Sequence, residues 1–380
     1  MTEMITGTNR GGPPAPASDA DERLAYVALG LVPGLGARRV GRLLSAFGGA
    51  SAVIRAKPRE LLAIPGMTPA AATAVRTSRQ REASALLAAA EACGQQTLVP
   101  TDAGYPAALR SIPDPPLVLF VRGKFETLAQ PAVAIVGSRD HTRYGAEAAV
   151  LIAKTAARAG IVVVSGMARG LDAVAQAAAL DVGGLSIGVL GTGADLIYPL
   201  ENAALFERMV REGMLLTEHP PGEQPSRGAF PRRNRLISGL ARALVVVEAA
   251  EGSGTLVTVM SALEQGREVL VVPGPITSRT SAGTNRLLRD GATPLLSPED
   301  LLGVFGLSST TVAEPRHDTP PCTLSPDEAR VLSAVSGTPR SIDEIAESAG
   351  LPIGTVLATL LGLELGGLIV QLADSTYQRR

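Results

Sequence analysis

Short apolar runs alternate with longer amphipathic stretches over residues 96–303, and this alternation predicts a parallel β-sheet with helices on both faces. The predicted fold class is therefore α/β, with a Rossmann-like parallel sheet as its core. The apolar runs predict strands at Val133–Val136, Ile161–Val164, Ser186–Leu190, Leu215–Thr217, Ala243–Glu248 and Glu268–Val272.

Residues 21–95 are rich in Ala, Leu and Arg and predict a separate helical domain. Two apolar-Pro-Gly turns, at residues 32–36 and 64–67, each open a helix. This arrangement is similar to a helix-hairpin-helix or SAM-like domain, and its glycine turns would offer backbone N–H groups to a phosphate. A plain helical hairpin that packs against its neighbour explains the same pattern, and both interpretations stay open.

The C-terminal part predicts a winged helix at residues 323–380. Ser325, Pro326 and Glu328 form a helix start, two more helices follow, and Leu368–Leu372 is strand-like. The third helix, Ile353–Leu365, contains neither Lys nor Arg, which favours a protein contact or a structural role over DNA binding. Polar, Pro-rich segments predict a disordered tail at 1–20 and a linker at 304–322.

Composition changes this picture in two ways. Hydrophobic residues make up 46% of the 380 positions and charged residues 19%, so the chain is globular. The net charge of −1 argues weakly against a nucleic-acid partner, but arginines cluster at residues 38–42 and 227–235, and local patches set the field at a binding face.

Cysteine and histidine usage argues against a metal site or a disulfide framework. Cys93 and Cys322 are far apart, and the three histidines are scattered. The N-terminus lacks the apolar run of a signal peptide, and no stretch is apolar enough to span a bilayer. We therefore expect a cytoplasmic protein with no metal, no cofactor and no membrane partner.

Glycine turns follow several of the predicted strands and form the first candidate binding site. Because the carboxyl ends of parallel strands meet at one edge of the sheet, we expect these turns to form a long groove for a polyphosphate backbone. Neither a P-loop nor a dinucleotide fingerprint is present, which argues against a bound nucleotide. The candidate residues in the turns are Gly137, Ser138, Arg139, Gly166, Ser253, Gly254 and Thr255.

The segment at 227–235 is the second candidate, because it places an aromatic ring beside guanidinium groups at a helix start. Such a cluster suits a stacked base with a neighbouring phosphate. The alternative is an Arg-rich helix face that pairs with carboxylates, and Arg235 is the strongest candidate for that role. The candidate residues are Arg227, Phe230, Arg232, Arg233, Asn234 and Arg235.

Taken together in their order, the motifs VGSR, SGMARGLD, GTGADLIYP, FPRRNRLISGL, EGSGTLVT, VPG and GTNRLL resemble the DNA-processing protein A (DprA, also called Smf) family. The resemblance covers about residues 100–300. It implies sequence-independent binding of single-stranded DNA, a homodimer formed through the Rossmann-like domain, and loading of the RecA recombinase during recombination and natural transformation. It suggests Arg139, Arg227, Phe230 and the Arg232–Arg235 patch as DNA contacts. Arg227 stands where some members have Lys, which keeps the charge.

A nucleotide-processing enzyme is the alternative. The turn Glu251-Gly252-Ser253-Gly254-Thr255 looks like the phosphate turn of phosphoribohydrolases with a related fold. Those enzymes need an Arg and a Glu close to the ribosyl bond, and the sequence offers no convincing paired Glu. We therefore expect a DNA-binding protein without enzymatic turnover.

Overall fold

The computed structural model describes residues 19–76, 80–307, 325–336, 338–365, 368–372 and 376–379. The chain divides into two compact units, residues 1–313 and 314–380. The predicted tail at 1–20 lies outside the described residues except for 19–20. Most of the predicted linker lies outside them too, since only 304–307 are described.

Helices occupy the N-terminal part of the first unit, as predicted. They are α1 (Asp19–Gly30), α2 (Ala37–Phe47), α3 (Ala50–Arg55), α4 (Pro58–Leu62), α5 (Pro69–Arg76) and α6 (Gln80–Ala92). Both Pro-Gly turns take positive φ at glycine, +74° at Gly34 and +85° at Gly66, and α2 and α5 follow them. Leu29, Leu43 and Leu61 are among the side chains that close a small apolar core between the helices.

A nine-stranded sheet forms the rest of this unit. Its strands are β1 (Gln96–Leu98), β2 (Leu119–Gly123), β3 (Ala132–Val136), β4 (Val162–Ser165), β5 (Ser186–Val189), β6 (Met214–Thr217), β7 (Ala243–Val246), β8 (Glu268–Val271) and β9 (Thr293–Pro294). Their order is β1-β2-β6-β5-β4-β3-β7-β8-β9. The strands from β3 to β9 pair in parallel, whereas β1 and β2 are antiparallel additions at one edge.

The six predicted strands are confirmed as β3 to β8, and β1, β2 and β9 were not predicted. The chain runs outward from β3 through β4, β5 and β6, and then returns to the other side of β3 as β7. The order reverses beside β3, so a crevice opens at the carboxyl ends of these strands.

Helices cover both faces of the sheet: α7 (Ala107–Arg110), α8 (Arg143–Arg158), α9 (Leu171–Asp181), α10 (Ala203–Glu212), α11 (Ala229–Leu240), α12 (Thr255–Glu264), α13 (Ala282–Arg289) and α14 (Pro298–Val304). Side chains of β3 alternate between two apolar cores, as a strand with both faces buried requires. Ala134 and Val136 pack with α11 and α12, and Val133 and Ile135 pack with α8, α9 and α14.

The second unit has three helices, α15 (Pro326–Ala334), α16 (Ile342–Ala349) and α17 (Ile353–Leu365), and three short strands, β10 (Arg340–Ser341), β11 (Ile369–Gln371) and β12 (Thr376–Arg379). The Ser325 side chain accepts a hydrogen bond from the Glu328 N–H, which confirms the predicted cap. The strand-like run at 368–372 contains β11. The exposed face of α17 carries apolar residues, among them Ile353, Leu357 and Leu361.

Within the described ranges, no single helix is both long and apolar enough to cross a membrane. The segments Ile342–Ala349 and Ile353–Glu364 reach that composition only as a pair, and the chain bends by 105° between them.

Candidate functional site

A groove of about 870 Å³ opens at the carboxyl ends of β3, β4, β5 and β7. Every predicted site residue except Arg232 and Arg235 lines it, including the three glycine-containing turns that lie far apart in the sequence. Its predicted lining residues are Gly137, Ser138, Arg139, Gly166, Arg227, Phe230, Arg233, Asn234, Ser253, Gly254 and Thr255.

Helix α11 forms one wall of the groove, and its periodicity places Arg233 on a different face from Arg232 and Arg235. At about 3.6 residues per turn, positions 230, 233, 234 and 237 share one face, and this face lines the groove. Arg232 and Arg235 line a second cavity of about 230 Å³, bounded also by Gly36 and Ala37 of the N-terminal helices. Arg232 and Arg235 therefore lie outside the groove that the other predicted site residues line.

Arg235 makes the carboxylate contacts that the sequence left open as its alternative. Its Nη2 atom donates to both carboxylate oxygens of Glu218 at 2.7 Å, and its Nε donates to Asp114 Oδ2 at 3.1 Å. Burial raises the pKa of Glu218, although the Arg235 charge opposes this shift. Both of these partners hold Arg235 in place, so we assign it a structural role.

Arg233 lines the groove but is almost entirely buried in its floor. The residue is only 5% exposed, and its Nη1 atom donates to the carbonyl oxygens of Gly166 and Val189, at the ends of β4 and β5. Burial lowers the pKa of Arg233 to about 10, opposed by the nearby Asp172 carboxylate. Asp172 is buried as well and accepts a hydrogen bond from the Gly166 N–H at 3.1 Å. This guanidinium joins α11 to two strand ends, so the structure gives Arg233 a structural role, and its predicted contact with DNA stays a prediction.

Gly166 is confined between these two charges. A Cβ atom there would lie 2.5 Å from an Arg233 nitrogen and 2.7 Å from an Asp172 oxygen. Because both of these groups are buried and held, neither can move aside, and only glycine fits at this position.

The turn after β3 leads into helix α8 through a short connection. Helix α8 begins only at Arg143, and Thr142 caps it by accepting from the Gly145 N–H. The buried Glu248 carboxylate in turn accepts from the N–H and the hydroxyl of Thr142. Thr142 and Glu248 thus satisfy backbone N–H groups at the start of α8. The Ser138 hydroxyl is also engaged, since it donates to the Asp140 carbonyl at 2.7 Å.

The Ser253–Thr255 turn lies against the turn after β3. The Thr255 hydroxyl donates to the Gly137 carbonyl at 3.1 Å, and the Ser253 hydroxyl accepts from the Thr255 N–H. The hydrogen bond between Thr255 and Gly137 fixes the relative position of two groove walls that are more than a hundred residues apart in the chain.

Two arginines remain as accessible cations of the groove. Arg139 and Arg227 are exposed, and neither side chain makes a hydrogen bond or an ion pair within the ranges that the structure describes. The neighbouring Arg169, in contrast, pairs with Asp140 at 2.9 Å. Arg139 and Arg227 are therefore the side chains best placed to meet phosphates.

An aromatic pair lines the same groove as these cations. The rings of Phe230 and Tyr198 are 5.6 Å apart and tilted by 33°, and the Arg233 guanidinium lies 6.0 Å from the Phe230 centroid. Tyr198 is 43% exposed and was not among the predicted site residues. The signal available in the sequence was its place in the glycine turn that follows β5.

The fold and the groove define the class of protein first. It is an α/β protein of Rossmann type that carries a winged helix and has a large groove, lined by arginines and glycine turns, at its topological switch point. The model of DNA recombination-mediator protein A matches residues 96–306, and that of the DprA winged helix domain matches residues 315–375. The chain belongs to the DprA/Smf family.

Named relatives agree with this assignment. Protein Smf of Escherichia coli is 42% identical over 283 residues, which cover 72% of this chain and 74% of the relative. The X-ray structure of DprA from Streptococcus pneumoniae superposes with a TM-score of 0.64 at 32% identity, covering 74% of this chain and 95% of that one. DprA from Helicobacter pylori, whose structure concerns its single-stranded DNA binding mode, gives 0.51 at 29% identity over 56% of this chain and 97% of its own.

Substitutions of the buried Arg233 and of its exposed neighbour Arg232 test whether Arg233 stabilises the fold around the groove. Arg233→Ala should cost about 3–5 kcal/mol of the free energy of unfolding, because it leaves the Asp172 charge buried without its counter-charge. Arg232→Ala should change that free energy by less than about 0.5 kcal/mol, since the residue is exposed. Urea unfolding followed by circular dichroism measures both, and equal losses would contradict the assigned roles.

Proposed function

We propose that the groove binds single-stranded DNA without sequence preference, with Arg139 and Arg227 on phosphates and Phe230 and Tyr198 on bases. The observation that carries this proposal is that an aromatic pair, with Tyr198 exposed and Phe230 half-buried, lines one groove with two accessible arginines. Phosphates and base faces are common to every sequence, so such contacts are sequence-tolerant. The single-stranded DNA binding mode described for the Helicobacter pylori relative supports the same choice.

We propose further that the protein acts by binding, without turnover. A phosphoribohydrolase-like reaction would need a free carboxylate beside the ribosyl bond. Of the acidic residues that line the groove, Asp172 is buried beside Arg233, Asp140 pairs with Arg169, and Glu251 lies 4.0 Å from Arg286. Glu201 is exposed and makes no ion pair within the described ranges, so Glu201→Gln belongs in the same assay as Glu251→Gln. A nucleotide-hydrolysis assay tests this point, and hydrolysis abolished by Glu251→Gln or Glu201→Gln would overturn it.

Salt titration separates the two kinds of contact in the groove. Arg139→Ala and Arg227→Ala should each weaken binding of an oligo(dT) strand and lower the log–log salt slope by about 0.7, the contribution of one phosphate. Phe230→Ala and Tyr198→Ala should each weaken binding by about 1–3 kcal/mol and leave the slope unchanged, because stacking releases no counterions. Fluorescence anisotropy at several salt concentrations measures both quantities.

Arg158→Ala is the matched control, since Arg158 is an exposed arginine at the C-terminal end of α8 and thus toward the opposite edge of the sheet. It should bind like the parent chain. The proposal fails if Arg139→Ala and Arg227→Ala also bind like the parent.

We also propose that two copies of the chain dimerise through the Rossmann-like domain, as the family resemblance implies. Helix α12 supports this, since Val257, Met260 and Leu263 are 41%, 58% and 56% exposed on one face. An exposed apolar face suits a second copy related by two-fold symmetry. Met260→Glu should shift the protein to monomer in light scattering, whereas Leu151→Glu, an equally exposed apolar position on α8, should not.

We propose that the dimer loads RecA recombinase onto the bound strand in the cytoplasm, in recombination and natural transformation. A protein that binds the strand without sequence preference can present any strand to a recombinase. The parent chain should shorten the lag of RecA filament assembly on strands coated with single-strand-binding protein, and Arg139→Ala/Arg227→Ala should not. An unchanged lag with the parent chain would refute this step.

A further inference from the structure

The N-terminal helices carry a strong positive charge that the groove does not explain. Residues 31–75 contain six basic residues and one acidic residue, a net charge of +5, in a chain whose net charge is −1. The basic residues are Arg38, Arg39, Arg42, Arg55, Lys57 and Arg59. The matching family model begins at residue 96 and assigns nothing to this segment.

Part of this charge forms one surface across the two Pro-Gly turns. Arg39 Nη1 donates to the Gly34 carbonyl of the first turn at 2.9 Å, and Arg42 Nη1 donates to the Pro65 carbonyl of the second at 2.9 Å. Arg42 thereby holds the turns side by side while remaining exposed. Arg38, also exposed, makes no contact through its guanidinium within the described ranges. These residues, Arg38, Arg39 and Arg42, are called the hairpin surface below.

The hairpin surface lies near the face of α11 that points away from the groove and carries Arg232. Gly36 and Ala37, which directly precede Arg38, line the same cavity as the exposed Arg232 of α11. The opposite face of α11 carries Phe230 in the groove. Arg227 in the groove, Arg232 on the other face of α11, and Arg38 and Arg42 beside a separate cavity of α2 are thus exposed cations on neighbouring surfaces, and a flexible strand can extend from one to the next.

We propose that the hairpin surface, together with Arg232, is a second site for the phosphate backbone of DNA that extends beyond the groove. Within the described residues no carboxylate pairs with Arg38, Arg39 or Arg42, and Arg232 makes no ion pair, although Asp114 and Glu218 line its cavity and Glu218 interacts with its charge. Arg235 pairs with both of these carboxylates, so a polyanion is the ligand that the remaining positive charge fits. The site takes phosphates only, because it offers cations without an exposed aromatic ring. This second site extends the DNA binding that we propose for the groove. It rests on that proposal in one respect, namely that the strand reaches the hairpin surface from the groove.

Strand length provides the test. The variant Arg38→Ala/Arg232→Ala should bind an oligo(dT) of about 6 nucleotides like the parent, because a strand of that length fills the groove alone. It should bind one of about 30 nucleotides roughly tenfold more weakly, with a salt slope lower by about 1.4 for two phosphates. Neither side chain contacts the core, and a melting curve confirms that the variant folds. The double variant Arg158→Ala/Arg289→Ala removes the same charge from the C-terminal ends of α8 and α13 and should match the parent at both lengths.

A third probe joins the short strand to a duplex. A loss of affinity for this junction as well as for the long strand supports the site and shows that duplex phosphates also reach it. Equal affinity of the variant and the parent for the long strand and the junction overturns the inference, while the groove proposal stands. Parent-like binding of both lengths by Arg139→Ala/Arg227→Ala would instead refute the groove proposal.

Discussion

The buried guanidinium of Arg233 is the contact on which the rest of the site depends. It joins helix α11 to the ends of β4 and β5 through the Gly166 and Val189 carbonyls, with Asp172 as its counter-charge. A charge removed from water is tolerated only when it is matched and hydrogen-bonded. Those bonds therefore fix where α11 stands, and with it the position of Phe230 over the groove.

Helix α11 then divides the arginine cluster by geometry alone. One face presents Phe230 and Asn234 to the groove, and the other presents Arg232 toward the N-terminal helices. A single helix can in this way serve two surfaces, one suited to bases and phosphates and one to phosphates only. Arg235 belongs to neither surface, because Glu218 and Asp114 neutralise it.

The sheet was predictable because strands with both faces buried are continuous apolar runs, as β3 and β7 show. The short edge strands β1 and β9 carry no such signal. The groove residues could be predicted because parallel strands end at one edge. The burial of Arg233 could not, since its partners Gly166, Asp172 and Val189 are more than forty residues away. The same holds for Glu248, which reaches Thr142 at the start of α8 across 106 positions.

Photo-crosslinking of the full chain to an oligonucleotide that carries 5-bromodeoxyuridine tests the central claim most directly, because it reports which side chains touch the bases. The account predicts crosslinked peptides that contain Phe230 or Tyr198, and their loss in Phe230→Ala/Tyr198→Ala. Crosslinks confined to the winged-helix unit, with none in the groove, would contradict it.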